Sequence, residues 1–167
     1  IQAALSFVNR LNRNPALARN MIRQDAAEGF LSLRQHMENV TARVNSMGVE
    51  HLPSSFKKQS AEIIDKLRLN SEKVAFSLEK EIESGKIEDA IRHDERRISP
   101  SDFGFHNAIR TQSGVVFIDF EFAGWDDPAK LCVDFTLQQR NPVNLRPVDI
   151  ASILFPESVE TMSDRLD

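Results

Sequence analysis

The sequence predicts a mainly α-helical fold that carries one small β-hairpin, an α+β lobe. Apolar residues recur at steps of three and four over roughly the first ninety residues, and helical spacing returns after Pro128. Between these stretches, Val115, Val116, Phe117 and Ile118 form a short β-branched and aromatic run preceded by turn residues. A length of 167 residues with 41% hydrophobic and 28% charged composition suits one compact globular unit.

The composition also narrows the partners. A net charge of −4 and a pI near 5.6 argue against a nucleic-acid surface, and no apolar run reaches membrane-spanning length. The single cysteine, Cys132, excludes an internal disulfide, and no charged-then-apolar leader is visible, so a reducing cytoplasm is the expected setting. The six glycines are scattered, leaving no Gly-rich phosphate loop and no P-loop.

Along the chain, Ile1, Ala4, Leu5, Val8 and Leu11 make one stripe of a core-packing helix over residues 1–12, with Phe7 on its edge. Arg10, Arg13 and Arg19 read as a solvated basic face. Asn14 and Pro15 break the pattern, and a short helix is predicted from about Ala16 to Arg23. Phe30, Leu33, Met37, Val40, Val44 and Met47 then alternate steps of three and four, predicting a long helix from about Asp25 to Met47 that Gly48 ends. This seam is short for a coiled coil, so packing within the lobe is the stronger reading and a homodimer helix the sharper one.

Ser54 or Ser55 is a plausible cap for the next segment, whose Phe56, Ile63, Ile64, Leu67, Val74, Ala75, Leu78 and Ile82 predict two helices or one kinked near Asn70 and Ser71. Ile87 to Ile91 could add a further helical turn. His93 lies beside Asp94 and Glu95, but no second histidine or cysteine stands at ligand spacing. His36 and His51 are isolated and read as structural or exposed.

The chemistry-bearing segment runs from Ile98 to Pro128. Asp102 and Asn107 stand five apart on a loop; a hairpin is predicted to run through Ala108 to Arg110, turn at Thr111 to Gly114 and return along Val115 to Phe120, bringing Asp119 beside Asn107. The return strand is apolar on both faces and is expected to be buried. A carboxylate at its end would then need compensation, which a divalent cation would supply. His106 could face a ligand or pack in the loop; Glu121 could approach a metal or make an ordinary hydrogen bond. Pro128 suits the first position of a helix capped by Asp127, with Leu131, Cys132 and Phe135 on its apolar face. Arg140 to Pro147 reads as a loop, Val148 to Phe155 as a short helix, and the closing residues as a polar helix or fraying end.

Taken in order, Pro100-Ser101-Asp102, four residues, Asn107, then Ile118-Asp119-Phe120-Glu121 and Gly124-Trp125-Asp126-Asp127-Pro128 resemble the catalytic segment of the aminoglycoside phosphotransferase and choline kinase-like family. The resemblance is tight over roughly residues 98–139. It implies the C-terminal lobe of a protein-kinase-like fold: a helical part over 1–97, a catalytic loop and metal-binding hairpin over 98–127, and C-terminal helices over 128–167. It implies Asp102 as the catalytic base, and Asn107 and Asp119 as ligands of magnesium on the phosphates of ATP or another nucleoside triphosphate. Asp127 would brace the catalytic loop.

The acceptor would be a hydroxyl of a small molecule such as an aminoglycoside, sugar or amino alcohol. The matching family places a nucleotide-binding lobe before this region, and no such lobe is found, so the chain is expected to be a catalytic-lobe fragment of a larger protein and inactive alone. Two departures stand out: Pro100 replaces the family histidine and Ser101 the glycine. They support the alternative of a catalytically silent kinase-like binding module. The triplet Asp102-Phe103-Gly104 also spells a protein-kinase magnesium motif, but Asp94, eight residues upstream, is followed five residues later by Ser99 rather than Asn.

Overall fold

The apolar stripe of the first ten residues folds as α1 (Gln2–Leu11), which buries Ala4 and Val8 completely. The computed structural model of the protein describes residues 1–138 and 141–166. The chain divides into two compact units, Ile1–Gly29 with Ile91–Asp167, and Phe30–Ala90.

In the first unit, Asn14 accepts a hydrogen bond from the Leu17 N–H and Pro15 opens α2 (Pro15–Met21). Two two-stranded antiparallel sheets follow. In one, β1 (Arg97–Ser99) pairs with β4 (Gly124–Asp126), setting Ile98 opposite Trp125; in the other, β2 (Ala108–Thr111) pairs with β3 (Gly114–Phe117), setting Ala108 opposite Phe117. The first sheet is widened by irregular chain: Trp125 donates to the Gln24 carbonyl at 3.1 Å and accepts from the Ala26 N–H at 2.9 Å. On β1, the Asn12 side chain accepts from the Ile98 N–H at 2.7 Å and donates to its carbonyl at 3.0 Å, pairing with the strand as another strand would.

Asp127 caps α5 (Pro128–Thr136) by accepting from the Ala129 N–H at 2.8 Å, as expected, and Leu131, Cys132 and Phe135 enter the core. Then come α6 (Pro147–Leu154) and α7 (Val159–Leu166). Ile150, Ala151, Phe155 and Met162 pack with the α5 residues and with Ala4, Val8, Phe103 and Phe117 in one hydrophobic core. The expected loop at Arg140 begins outside the described residues.

The second unit is a helical hairpin of α3 (Leu33–Ser46) packed on α4 (Ser54–Glu83). Leu33, Met37, Val40 and Val44 turn away from full exposure, with Val44 buried, as the seam required, but Met47, the last residue of the expected seam, lies past the helix end and is exposed. Arg34 joins the two ends of the unit, reaching Glu79 at 2.7 Å and Asp89 at 3.1 Å. Glu79 holds the Arg34 guanidinium firmly protonated, and Arg34 lowers the Glu79 carboxyl below its usual range. Ser32 and Ala90 form an isolated antiparallel bridge.

Four boundaries differ from expectation. The helix expected from Asp25 starts at Leu33, because Asp25 is drawn into a parallel bridge with Trp125 and Ser32 supplies the cap, accepting from the Gln35 N–H at 3.2 Å. Residues 54–83 form one continuous helix of 30 residues through Asn70 and Ser71, since neither residue removes a backbone donor. Its cap position is Pro53, with no side-chain cap bond, so neither Ser54 nor Ser55 has that role. Ile87 to Ile91 is not helical: Ala90 pairs with Ser32 instead.

Candidate functional site

The loop that follows β1 begins with two serines set for a sharp turn. The Ser101 N–H donates to Ser99 Oγ at 3.0 Å, and Ser101 takes a left-handed backbone with φ 71°. The Phe103 N–H donates back to the Ser101 carbonyl at 2.9 Å, so the chain reverses around Asp102. This reversal sends neighbouring side chains opposite ways. The Asp102 side chain is 69% exposed, whereas Phe103 is buried.

Aromatic packing fixes that arrangement. The Phe103 ring lies 5.0 Å from Phe117 of β3, 5.2 Å from Phe135 of α5 and 5.7 Å from Phe7 of α1, and Phe7 also meets Phe117 at 5.1 Å and Phe120 at 5.4 Å. The loop bearing Asp102 and the hairpin leading to Asp119 therefore share one aromatic floor. Phe7, which the sequence placed only on the edge of its helix, is the link between them.

Residues 105–107 form a single 3-10 turn that ends on Asn107. The Asn107 side-chain N–H group donates to the Asp102 carbonyl at 3.0 Å and lies 3.4 Å from its carboxylate. The Asn107 main-chain carbonyl accepts from the Ile118 N–H at 3.0 Å, extending the hairpin ladder beyond Ala108 and Phe117. Asp119 is the next residue, exposed, with φ 69°. Aspartate tolerates this left-handed conformation better than most side chains, and such backbone strain recurs at functional positions.

The expected burial of the return strand is not what the structure has. Phe117 is buried, but Val115, Val116, Ile118 and Phe120 are 39–48% exposed. A sheet of two strands presents only the Phe117 end to the core, and the rest of the strand has no layer over it among the described residues. The need for a cation to compensate a buried carboxylate falls away with that burial, and the chemistry of the Asp119 position rests on its neighbours instead.

His106 lies with Nε2 3.0 Å from Asp102 Oδ1. Gly104 makes room for it: a Cβ there would stand 2.6 Å from the imidazole and 2.9 Å from Gln138 Oε1, which itself accepts from the Phe105 N–H at 2.6 Å. Gln138 was not foreseen, because no local pattern marks a glutamine thirty-three residues away as a loop support. Glu121 and His93 are exposed.

Behind the loop, Asp127 accepts from Arg165 Nε at 3.0 Å as well as from Ala129. Asp126 is buried; its Oδ1 accepts from the Asp127 N–H, while its Oδ2 has no hydrogen-bond partner and lies 3.6 Å from Lys130 Nζ. Burial outweighs the lysine and pushes the Asp126 carboxyl up to about 7. The Cys132 thiol is pushed up to about 12 by burial, with Asp127 adding to it, so it is an inert core thiol.

Asn107 and Asp119 carry hard oxygen donors. Asn107 uses its amide N–H group on Asp102, which leaves its carbonyl oxygen as the donor atom, and Asp119 contributes a carboxylate. Among the described residues no group of three or more His, Cys, Asp or Glu is placed to hold a metal ion. No helix of the described residues is long and apolar enough to cross a membrane.

No protein-family model, curated protein or solved structure matches the chain.

Proposed function

We propose that this chain is the catalytic part of a phosphotransferase resembling the aminoglycoside and choline kinases, acting on a hydroxyl of a small molecule. The observation that carries this reading is the Asn107 side chain, which is tied to Asp102 on one side while its main chain is tied to Ile118, the residue before Asp119. One residue thereby couples an exposed carboxylate suited to proton transfer with a second carboxylate and an amide oxygen suited to magnesium.

In this reading Asp102 orients the acceptor hydroxyl and takes its proton as the acceptor oxygen bonds to the γ-phosphorus and the bond to the departing nucleoside diphosphate breaks. Asn107 and Asp119 would hold the magnesium that, when bound, neutralises the phosphate charge. His106 and Asn107 fix the Asp102 carboxylate, so that its position need not be found anew in each turnover. Grip on the nucleotide itself is assigned to a further lobe of the parent protein.

The test is nucleoside diphosphate release by the full-length parent with magnesium and ATP, across sugars, amino alcohols and aminoglycosides. Acceptor-stimulated release that Asp102→Ala abolishes supports the reading. Failure of the intact protein to bind magnesium-nucleotide in direct titration would replace it with a silent binding module.

A further inference from the structure

Part of α4 that α3 does not cover carries an aligned apolar row, and Leu69 and Phe76 are exposed on another face. The inner row of α4, from Ile64 through Ala75 and Leu78 to Ile82, is partly shielded, as packing on α3 requires. A second row, Phe56, Ile63, Leu67 and Val74, is 41–58% exposed. At 100° per residue these four side chains fall within about 40° of arc, roughly a quarter-turn from the inner row, and they extend over about 27 Å of helix. Isolated apolar side chains on a surface need no explanation, but an aligned row of this length marks an interaction face.

The row is also a palindrome. Phe56 and Val74 are equidistant from Asp65, as are Ile63 and Leu67, and as are the small polar Ser60 and Asn70 that lie between them. A two-fold axis through the middle of the row brings each residue against its counterpart: Phe56 meets Val74 of the second copy, Ile63 meets Leu67, and Ser60 meets Asn70. This is what an interface between identical surfaces demands. Charge agrees with it. Glu62 and Lys66 border the row on the same flank, and in the antiparallel arrangement each comes within about 3 Å, measured along the axis, of the opposite charge in the second copy.

We infer that α4 forms a two-fold, antiparallel dimer interface with a second copy of this chain, centred on Ile63 and Leu67. The seam of α3, which alone suggested a dimer helix in the sequence, is taken up by α4; the dimer surface is the neighbouring face of α4.

Sedimentation velocity of the whole chain, over concentrations reaching about 1 mM, tests this. A concentration-dependent dimer is expected, and Ile63→Glu with Leu67→Glu should abolish it while leaving the helical circular dichroism unchanged. Glu62→Lys alone and Lys66→Glu alone should each weaken the dimer, and the two together should restore it, because the swap rebuilds both ion pairs. A chain that stays monomeric throughout overturns the inference, as does a dimer that survives the paired glutamates. A dimer that the double charge swap fails to rescue overturns the antiparallel register.

Discussion

His106 Nε2 stands 3.0 Å from Asp102 Oδ1, one turn further along the same loop. The resembling family has a histidine two residues before the base, where this chain has Pro100; here a different imidazole reaches the carboxylate, from the other side in sequence. The contact depends on Gly104, whose missing side chain leaves space for the ring. Gly104→Ala is therefore expected to push the imidazole from Asp102 and, on the proposed function, to lower kcat of the parent protein roughly 10- to 100-fold. His106→Ala should do the same, and His106→Gln should recover part of the loss. Unchanged kcat in both Gly104→Ala and His106→Ala would remove His106 from any positioning role.

On the proposed function, the two acids would have separable roles. Asp102→Ala should lower turnover by roughly 10²- to 10⁴-fold with little change in nucleotide affinity. Asp119→Ala should instead raise the magnesium concentration needed for nucleotide binding. Calorimetric titration beside steady-state kinetics separates the two, and identical effects from both variants would contradict the assignment.

Ser101 sits at φ 71°, where the resembling family has glycine. A left-handed backbone disfavours any residue with a Cβ, so Ser101→Gly should raise stability by up to about 1 kcal/mol, after the greater freedom of glycine in the unfolded chain is discounted. Chemical denaturation gives the value. A loss of stability would mean that the serine hydroxyl contributes more than the backbone costs.

Gly124 lies against the backbone of residues 25 and 26: a Cβ there would stand 2.4 Å from the Asp25 carbonyl carbon and 2.5 Å from the Ala26 nitrogen. Backbone cannot rotate aside as a flexible side chain can. Gly124→Ala should cost about 3 kcal/mol or more and release residues 24–27 from β4. Thermal denaturation together with amide exchange at Ala26 would show both effects.

Asp126 gives the protein a pH dependence of unusual sign. Its carboxyl titrates near 7 when folded, against 3.8 for the ordinary group, so between these values the folded state binds the proton that the unfolded state has lost. Its contribution is complete below about pH 4 and fades as pH rises through 7, over a span of roughly 4 kcal/mol. Asp126→Asn should flatten this decline relative to the parent. Parallel stability curves for the two proteins between pH 4 and 8 would show that the carboxyl is not held neutral.

The helices were legible because each carries its own evidence: the stripe of Ala4 and Val8, the alternating steps from Leu33 to Val44, and the Asp127-Pro128 start of α5 all name their buried face or their first turn. The position of the hairpin was legible from its turn residues and the β-branched and aromatic run of its return strand, whereas its backbone bond to Asn107 was not. What escaped was decided by distant chain. The strand β1 is a three-residue edge recognisable only once Trp125 and Asn12 are beside it. Asp25 left its expected helix for the same sheet. The exposure of Val116 and Ile118 was misread because composition tells how apolar a strand is, whereas its burial depends on how many layers cover it. The aromatic floor joining Phe7, Phe103 and Phe117 links three segments more than a hundred residues apart at the extremes, and no periodicity announces it.

The bridge between Ser32 and Ala90 has an implication for how this chain can vary. The fifty-seven residues between them are closed into one loop by this backbone pairing and by Arg34. The antiparallel helices beyond it behave as a cassette whose length is free of the rest of the sequence. Removing matched heptads from the far ends of both arms would keep their seam in phase. Such a deletion shortens the helical hairpin without altering the Ser32–Ala90 pairing that closes it, which makes the length of the hairpin a variable on which selection could act independently of the Asp102 loop.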